Sequence, residues 1–428
     1  MDIVKYAQKE SNELIERILS RSKFEYGDAP AKVEKIVNDI KDNGDEALFR
    51  YTKDFDKVEL TKDTIQVSQA EIDEAYSKVD KELIEVIRHS AERIKSFHEK
   101  QKRISWLEPE KTGELMGQLI LPLASAGVYV PGGKAAYPSS VLMNVVPAKV
   151  AGVEQIVMVT PPSKDGKVSP TTVVAAIEAG VTHIYKVGGA QAVAALAFGT
   201  ESVPKVNKIV GPGNIFVALA KRCVFGYVGL DSVAGPSEIL VIADDSANPA
   251  YVAADLLSQA EHDELASAVL ITTSDELAVK VQAEVERQTN MLERKEIINK
   301  SLDNYGAIIV VDDIDTAVEL CNNIAPEHME VCTKEPFFVL PKIKNAGAIF
   351  LGHYTPEPLG DYMAGPNHVL PTSGTAKFFS PLSVDDFIKK SSVLSFSKEA
   401  FDNLSEDVIK FAEAEGLTAH ANSIKVRR

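Results

Sequence analysis

From Gly127 to about Asp244, short apolar runs rich in β-branched residues (GVYV, QIVMV, HIYKV, NKIV, EILVIA) alternate with Ala-rich helical stretches such as 173–179 and 190–198. Runs that stay apolar at every position suit strands buried on both faces, and the spacers suit crossover helices, so this pattern predicts a parallel α/β sheet. A second set follows, with AVLITT, AIIVV and AIFLG as strands. At ~100–200 residues per domain, 428 residues imply two to four domains. With 45% hydrophobic residues, each can bury its own core without disulfide staples.

The flanks read differently. Ile72, Tyr76, Val79, Leu83, Val86 and Ile87 recur at three- and four-residue spacing, which predicts one amphipathic helix over 69–102. The opening MDIVKYAQKESNELIERIL is polar and helix-patterned, without the basic and apolar regions of a signal peptide. After Pro381 a polar, helix-leaning tail begins near Val384. It has too few apolar residues for a core of its own and is expected to pack on the body or on a partner chain.

Several function classes drop out. A net charge of -16, with no basic run, supplies no nucleic-acid footprint. No apolar stretch approaches the ~18 residues that span a bilayer, so the cytoplasm is the expected compartment. Cys223, Cys321 and Cys332 show no CxxC spacing, which argues against a disulfide framework or a thiolate metal site. Each is expected to be buried and reduced.

The residues that could do chemistry fall in a few segments. Asn248-Pro249 opens a helix as N-cap and first turn, and Gln259 and His262 follow on one face, three apart. Such a pair can meet a ligand, although a helical His is more often only packed or solvated. Glu327-His328 is a plausible acid–base couple, since His exchanges protons near neutral pH and Glu can activate water. Such neighbours are also common on surfaces. GDYMAGPNHVLPT, with Asp361 and His368, reads as a rigid loop at the carboxyl end of the strand AIFLG, where α/β proteins bind ligands. A plain Gly-Asp turn is the alternative. Glu415 and His420 sit five apart in the tail. Three glycine turns, VYVPGGK, VGGAQA and IVGPGN, each follow a strand and could cradle phosphate, or could merely be tight turns. None is the G-x-G-x-x-G fingerprint. The residues alone thus lead to an α/β enzyme with a possible His/Asp/Gln metal site.

The segment 230–263, LDSVAGPSEILVIADDSANPAYVAADLLSQAEHD, resembles the signature of histidinol dehydrogenases. The likeness continues in family order through GVYVPGG, GGAQAVAALAFGT, VGPGN, PEHME, FLGHYTPEPLGDYMAGPNHVLPT and EGLTAH, and so covers essentially the whole chain. It implies NAD-dependent, zinc-assisted oxidation of L-histidinol through the aldehyde to L-histidine. It places zinc on Gln259, His262, Asp361 and His420, and the catalytic pair on Glu327 and His328. Substrate contacts fall on Ser237, His368 and Glu415 beside the metal ligands and His328, and NAD contacts on Tyr129, Gln191 and Asn214. The implied fold has two incomplete Rossmann-like parallel-sheet domains, residues 29–127 plus 238–381 and residues 128–237. Helical arms, 1–28 and 382–428, would interlock a homodimer in which His420 and Glu415 complete the partner's site. No site position departs from the family pattern. The alternatives are a superfamily relative oxidising another polar alcohol such as a sulfonated diol, a zinc hydrolase using Glu327 as base, and a catalytically silent metal-binding dimer.

Overall fold

The computed structural model describes residues 1–6, 9–20, 27–132, 137–232 and 235–428. Parts of two sequence motifs, Gly133 and Lys134 of VYVPGGK and Val233 and Ala234 of the signature segment, lie outside the described residues, as do 7–8 and 21–26 of the expected N-terminal arm.

The chain opens with a strand where the pattern suggests helix: β1 (Asp2–Lys5), then α1 (Lys9–Ser20). Three helices follow, α2 (Ala29–Asp56), α3 (Gln69–Lys78) and α4 (Lys81–Glu99). The single helix expected over 69–102 is therefore two. Val79 turns extended, and the Asp80 carboxylate accepts from Glu82 N to cap a new helix. Strands β2 (Trp106–Pro109) and β3 (Glu114–Pro122) lead into the first α/β run. It comprises β4 (Ser125–Tyr129), α5 (Pro138–Ala151), β5 (Gln155–Val159), α6 (Pro170–Ala179), β6 (His183–Tyr185), α7 (Gly189–Phe198), β7 (Lys208–Val210), α8 (Ile215–Val224) and β8 (Gly229–Leu230).

The second run begins with β9 (Glu238–Ala243), α9 (Pro249–Ala260), β10 (Ser267–Thr272), α10 (Asp275–Thr289), α11 (Lys295–Tyr305) and β11 (Gly306–Val310). It ends with α12 (Ile314–Ile324), β12 (His328–Cys332), the short α13 (Pro336–Val339), β13 (Ala348–Leu351) and α14 (Glu357–Leu359). The tail contains a nine-residue strand, β14 (Ile388–Phe396), before α15 (Lys398–Ala414) and α16 (Thr418–Lys425), so it is not purely helical.

Both large sheets are parallel throughout, and both have the same winding. In the first, the spatial order is β6-β5-β4-β7-β8. In the second it is β11-β10-β9-β12-β13, with β1 added beside β11. Each sheet therefore grows outward from its first strand, returns, and grows the other way, which leaves a crevice where the direction reverses. The reversals lie between β4 and β7 and between β9 and β12. Helices cover both faces, so β4, β9, β10 and β11 are buried at every residue.

On the first sheet, α3 to α6 pack one face through residues such as Ile87, Ile94 and Met143, while α2, α7 and α8 pack the other through Val33, Leu48 and Leu196. On the second, α9, α10 and α11 cover one face, and α1 and α12 the other through Leu14, Ile18 and Leu320. This packing differs from the grouping of 29–127 with 238–381 expected from the sequence. The apolar stripes of α2, α3 and α4 are matched to the first sheet. A third, antiparallel sheet, β14-β3-β2, joins the tail to residues 106–122. Cys321 and Cys332 are buried as expected, whereas Cys223 is exposed. Among the described residues no helix is long and apolar enough to cross a membrane.

Candidate active site

Two separate sites emerge, one on each large sheet. The first is a cavity of about 860 Å³ at the carboxyl ends of β4, β5, β6 and β7, that is, at the reversal of the first sheet. All three residues expected to contact NAD line it: Tyr129, Gln191 and Asn214. Tyr129 ends β4, and its hydroxyl accepts from Gly189 N at 3.0 Å. Burial holds that phenol at about 12, so it stays protonated. Asn214 caps α8, accepting from Phe216 N and Val217 N.

The turn before Asn214 depends on glycine. Gly211 has φ +110°, and a Cβ there would lie 2.2 Å from the Tyr129 carbonyl oxygen. A buried ion pair fixes this peptide: Lys221 Nζ donates to Gly211 O and Asp231, while Gly211 N donates to the other Asp231 oxygen. The cavity also fits a nucleotide chemically. Gln191 Oε1 is buried without a hydrogen-bond partner, and the amino-terminal ends of α7 and α8 face the same space, where the helix dipole favours phosphate.

The second site is not where the sequence pattern suggests. Asp361 and His368 were expected at a strand's carboxyl end, but the segment after β13 turns back along the sheet. Glu357 N donates to Glu330 of β12 at 2.8 Å, and Gly360 lies against the Phe350 ring. Asp361 thereby reaches His328, the first residue of β12. Glu238, the first residue of β9, and Gln259, at the end of α9, complete an assembly at the amino-terminal edge of the second sheet. Helix α4 holds the returning loop from the other side. Ser90 Oγ donates to Tyr362 O, Arg93 to Met363 O, and His98 Nε2 lies 3.4 Å from the Asn367 amide.

His328 has a defined tautomer. Its Nδ1 lies 3.0 Å from Glu238 O, which can only accept, so Nδ1 carries the proton and Nε2 holds a lone pair. That Nε2 is buried and unpartnered, 3.8 Å from Glu357 and 4.0 Å from Asp361. Burial lowers the imidazole to about 4, so it is neutral. Glu327 and Glu238 bond each other reciprocally through one backbone N–H each, at 2.9 and 3.1 Å. Burial, and then the Glu238 charge, push Glu327 well above the usual carboxylate range. Burial also raises Glu357, to about 9. Asp361 goes the other way, to about 2, because His368 at 3.4 Å and His328 outweigh its own burial.

Unpartnered, buried Gln259 Oε1, His328 Nε2 and Glu357 Oε1 converge here, which suits a cation. Among the described residues, His328, Glu357 and Asp361 offer ligand atoms within 4.8 Å of one another. Of the expected metal set, Gln259 and Asp361 are in this assembly. His262 lies in the turn after α9, where desolvation lowers its pKa and the Asp361 charge opposes the drop. His420 is not assembled with them: it is exposed on α16, which packs on α15, and Glu415 is likewise exposed. Ser237 is half-buried just before β9. The sequence reading gave Glu357 no role. Its Pro-Glu-Pro setting was the available signal, a carboxylate held on a stiff turn within a glycine-rich loop.

Two parallel doubly wound sheets, one with a nucleotide-sized crevice and one with a buried imidazole beside a cation-ready cluster, define an α/β dehydrogenase of the cofactor-plus-metal class. Within that class, the chain belongs to the histidinol dehydrogenase family, whose model matches residues 19–428. Histidinol dehydrogenase from Caldanaerobacter subterraneus subsp. tengcongensis is 59% identical over 414 residues, covering 97% of this chain and 96% of that protein. The one from Clostridium acetobutylicum is 60% identical over 395 residues, covering 92% and 91%. The crystal structure of the Elizabethkingia anophelis enzyme superposes with a TM-score of 0.93 at 39% identity, covering 100% of this chain and 97% of that one. Membership makes the chain an NAD-dependent, zinc-containing oxidoreductase of histidine biosynthesis.

Proposed function

We propose that the chain oxidises L-histidinol to L-histidine in two steps, passing two hydrides to NAD, with one water added at the L-histidinaldehyde stage. The observation that carries this reading is the neutral, buried His328 with its Nε2 lone pair free inside the carboxylate cluster. His328 Nε2 takes the alcohol proton, and the nearby Asp361 carboxylate stabilises the imidazolium that results. Glu327, in its carboxylate form, takes a proton from the water that adds to the aldehyde, and its burial increases its affinity for that proton. Ser237 and His368 hold the substrate from this chain. NAD in the cavity at Tyr129, Gln191 and Asn214 supplies the hydride acceptor. Zinc on Gln259, His262, Asp361 and His420 of the partner subunit supplies a positive anchor for the substrate's imidazole and amine. The compartment is the cytoplasm.

Counting NADH against alcohol consumed tests the reaction. Two are expected. One would reduce the chain to a simple alcohol dehydrogenase, and none alongside product would favour the zinc hydrolase.

The same proposal makes the enzyme a homodimer with shared sites, Glu415 and His420 of one chain serving the other. Exposed apolar residues on the tail, Leu394 on β14 and Leu404, Val408 and Phe411 on α15, support an interface there. The expected result is complementation. His262→Ala and His420→Ala are each inactive alone. A heterodimer of the two contains one site with every ligand. Random mixing makes half the dimers mixed, so about a quarter of wild-type activity returns on co-expression under two-fold symmetry. Tagged, verified heterodimers without activity would refute the shared site.

A further inference from the structure

The cofactor cavity has a second wall that no glycine turn announces. Helix α2 breaks at Gly44, where φ is 52° and ψ is -129°, so its two halves line one space. Lys32, Lys35 and Ile36 come from the first half, and Tyr51, Phe55 and Asp56 from the second. The Tyr51 and Phe55 rings stack with centroids 5.6 Å apart and planes 16° from parallel, and Phe55 remains 55% exposed. Its outer face is open to a planar ligand.

Asp56 is the unusual member. Its carboxylate has no hydrogen bond or ion pair among the described residues, and Oδ2 is fully enclosed. Burying a carboxylate without a donor is costly, so a partner from outside the chain is called for. In sheets wound this way, an acid at the end of the second strand ordinarily accepts from the ribose hydroxyls of NAD. Here that strand is β5, and it ends in Thr160-Pro161-Pro162, which supplies no carboxylate. Pro161 and Pro162 line the cavity, with Asp56 in its wall.

Resting on the assignment of this cavity to NAD, we propose that Phe55 and Asp56 form the adenosine subsite: Phe55 stacks the adenine, and Asp56 accepts from the 2′- and 3′-hydroxyls of its ribose. A vicinal diol is a neutral double donor, which a lone carboxylate can bind with both oxygens. A 2′-phosphate would place like charge against it, so Asp56 also sets the preference for NAD over NADP. The raised pKa of Asp56, about 6 and due to burial alone, agrees with a group that has no internal donor. Lys35 on the opposite half of α2 is the competing feature, since it could attract a 2′-phosphate.

Calorimetric titration of the zinc-loaded enzyme separates these readings, using AMP and adenosine 2′,5′-bisphosphate as probes. The wild type should bind AMP and discriminate against the bisphosphate. Asp56→Asn, which keeps size and removes charge, should weaken AMP by roughly ten- to a hundredfold, the range for hydrogen bonds to a charged group, and shrink the discrimination. Phe55→Ala should weaken both probes alike and leave their ratio unchanged. Wild-type preference for the bisphosphate, or an Asp56→Asn variant that binds both probes as before, overturns the proposal. Gln191→Ala run in parallel locates the failure. If it raises the KM for NAD while Asp56→Asn changes nothing, only the adenosine subsite falls. If neither variant affects NAD, the cavity itself is not the cofactor site and both readings fall together.

Discussion

Stripping the enzyme with a strong chelator is expected to abolish turnover, and stoichiometric Zn²⁺ to restore it. The second site gathers Glu327, Glu330, Glu357 and Asp361 with Gln259 and three imidazoles, and burial, followed by the neighbouring carboxylates, lifts Glu327, Glu330 and Glu357 out of their ordinary range. The imidazoles facing these carboxyls are His328, which burial keeps neutral, and His368, 3.4 Å from Asp361, while Glu238 and Asp361 add like charge to Glu327. A divalent cation neutralises such a cluster, so its removal leaves the substrate without its anchor and the carboxylates facing one another. Among the described residues, the grouped ligand atoms are those of His328, Glu357 and Asp361, with no cysteine sulfur among them. Oxygen and nitrogen donors also accept manganese or cobalt, so partial recovery with those ions is compatible with the site. Metal content measured beside activity decides the matter: full turnover in a demonstrably metal-free sample removes zinc from the site. AMP binding should survive the treatment, because the cofactor cavity lies on the other sheet.

How much of this was legible in the sequence follows from what each element buries. Strands β4, β5, β9, β10 and β11 are apolar at nearly every position because helices cover both faces, and the run of such segments is readable at once. Strand β12 hides from that reading. It is buried throughout, yet its sequence is HMEVC: tertiary partners hold His328 Nδ1 and one Glu330 oxygen, while His328 Nε2 and the other Glu330 oxygen stay buried without a partner. Strand β1 is only four residues long and exists through its pairing with β11, some 300 residues away. Motif likeness located Glu327, His328, Gln259 and Asp361. What it could not convey was direction: Asp361 follows β13 in sequence but lies at the opposite edge of the sheet, beside His328, because Glu357 is tied back to Glu330. Glu238 was also invisible. It reads as the first letter of a strand, while its backbone carbonyl sets the His328 tautomer and its side chain braces Glu327 and Ser373.

That bracing makes Glu327→Gln a clean probe of the water step. A glutamine there keeps the volume, and its amide oxygen can still accept from Glu238 N, so the reciprocal link between β9 and β12 survives. What disappears is the only charge at position 327 able to take a proton. In the proposed mechanism the first oxidation uses His328 Nε2 as the base at the alcohol, and His328 keeps its hydrogen bond to Glu238 O. The second needs a base at water, and the loss of a positioned general base typically costs ~10²–10⁴-fold. The variant should therefore oxidise the amino aldehyde ~10²–10⁴-fold more slowly than wild type, with a much smaller loss on the amino alcohol when NADH release is followed for the first turnover. Supplying the two substrates separately reads each step alone. Glu327 Oε2 also lies 3.6 Å from His328 Nδ1, which gives the competing account a physical basis: Glu327 could act by orienting the imidazole. Orientation would serve both steps, so equal losses on the two substrates would transfer Glu327 from water activation to positioning of His328.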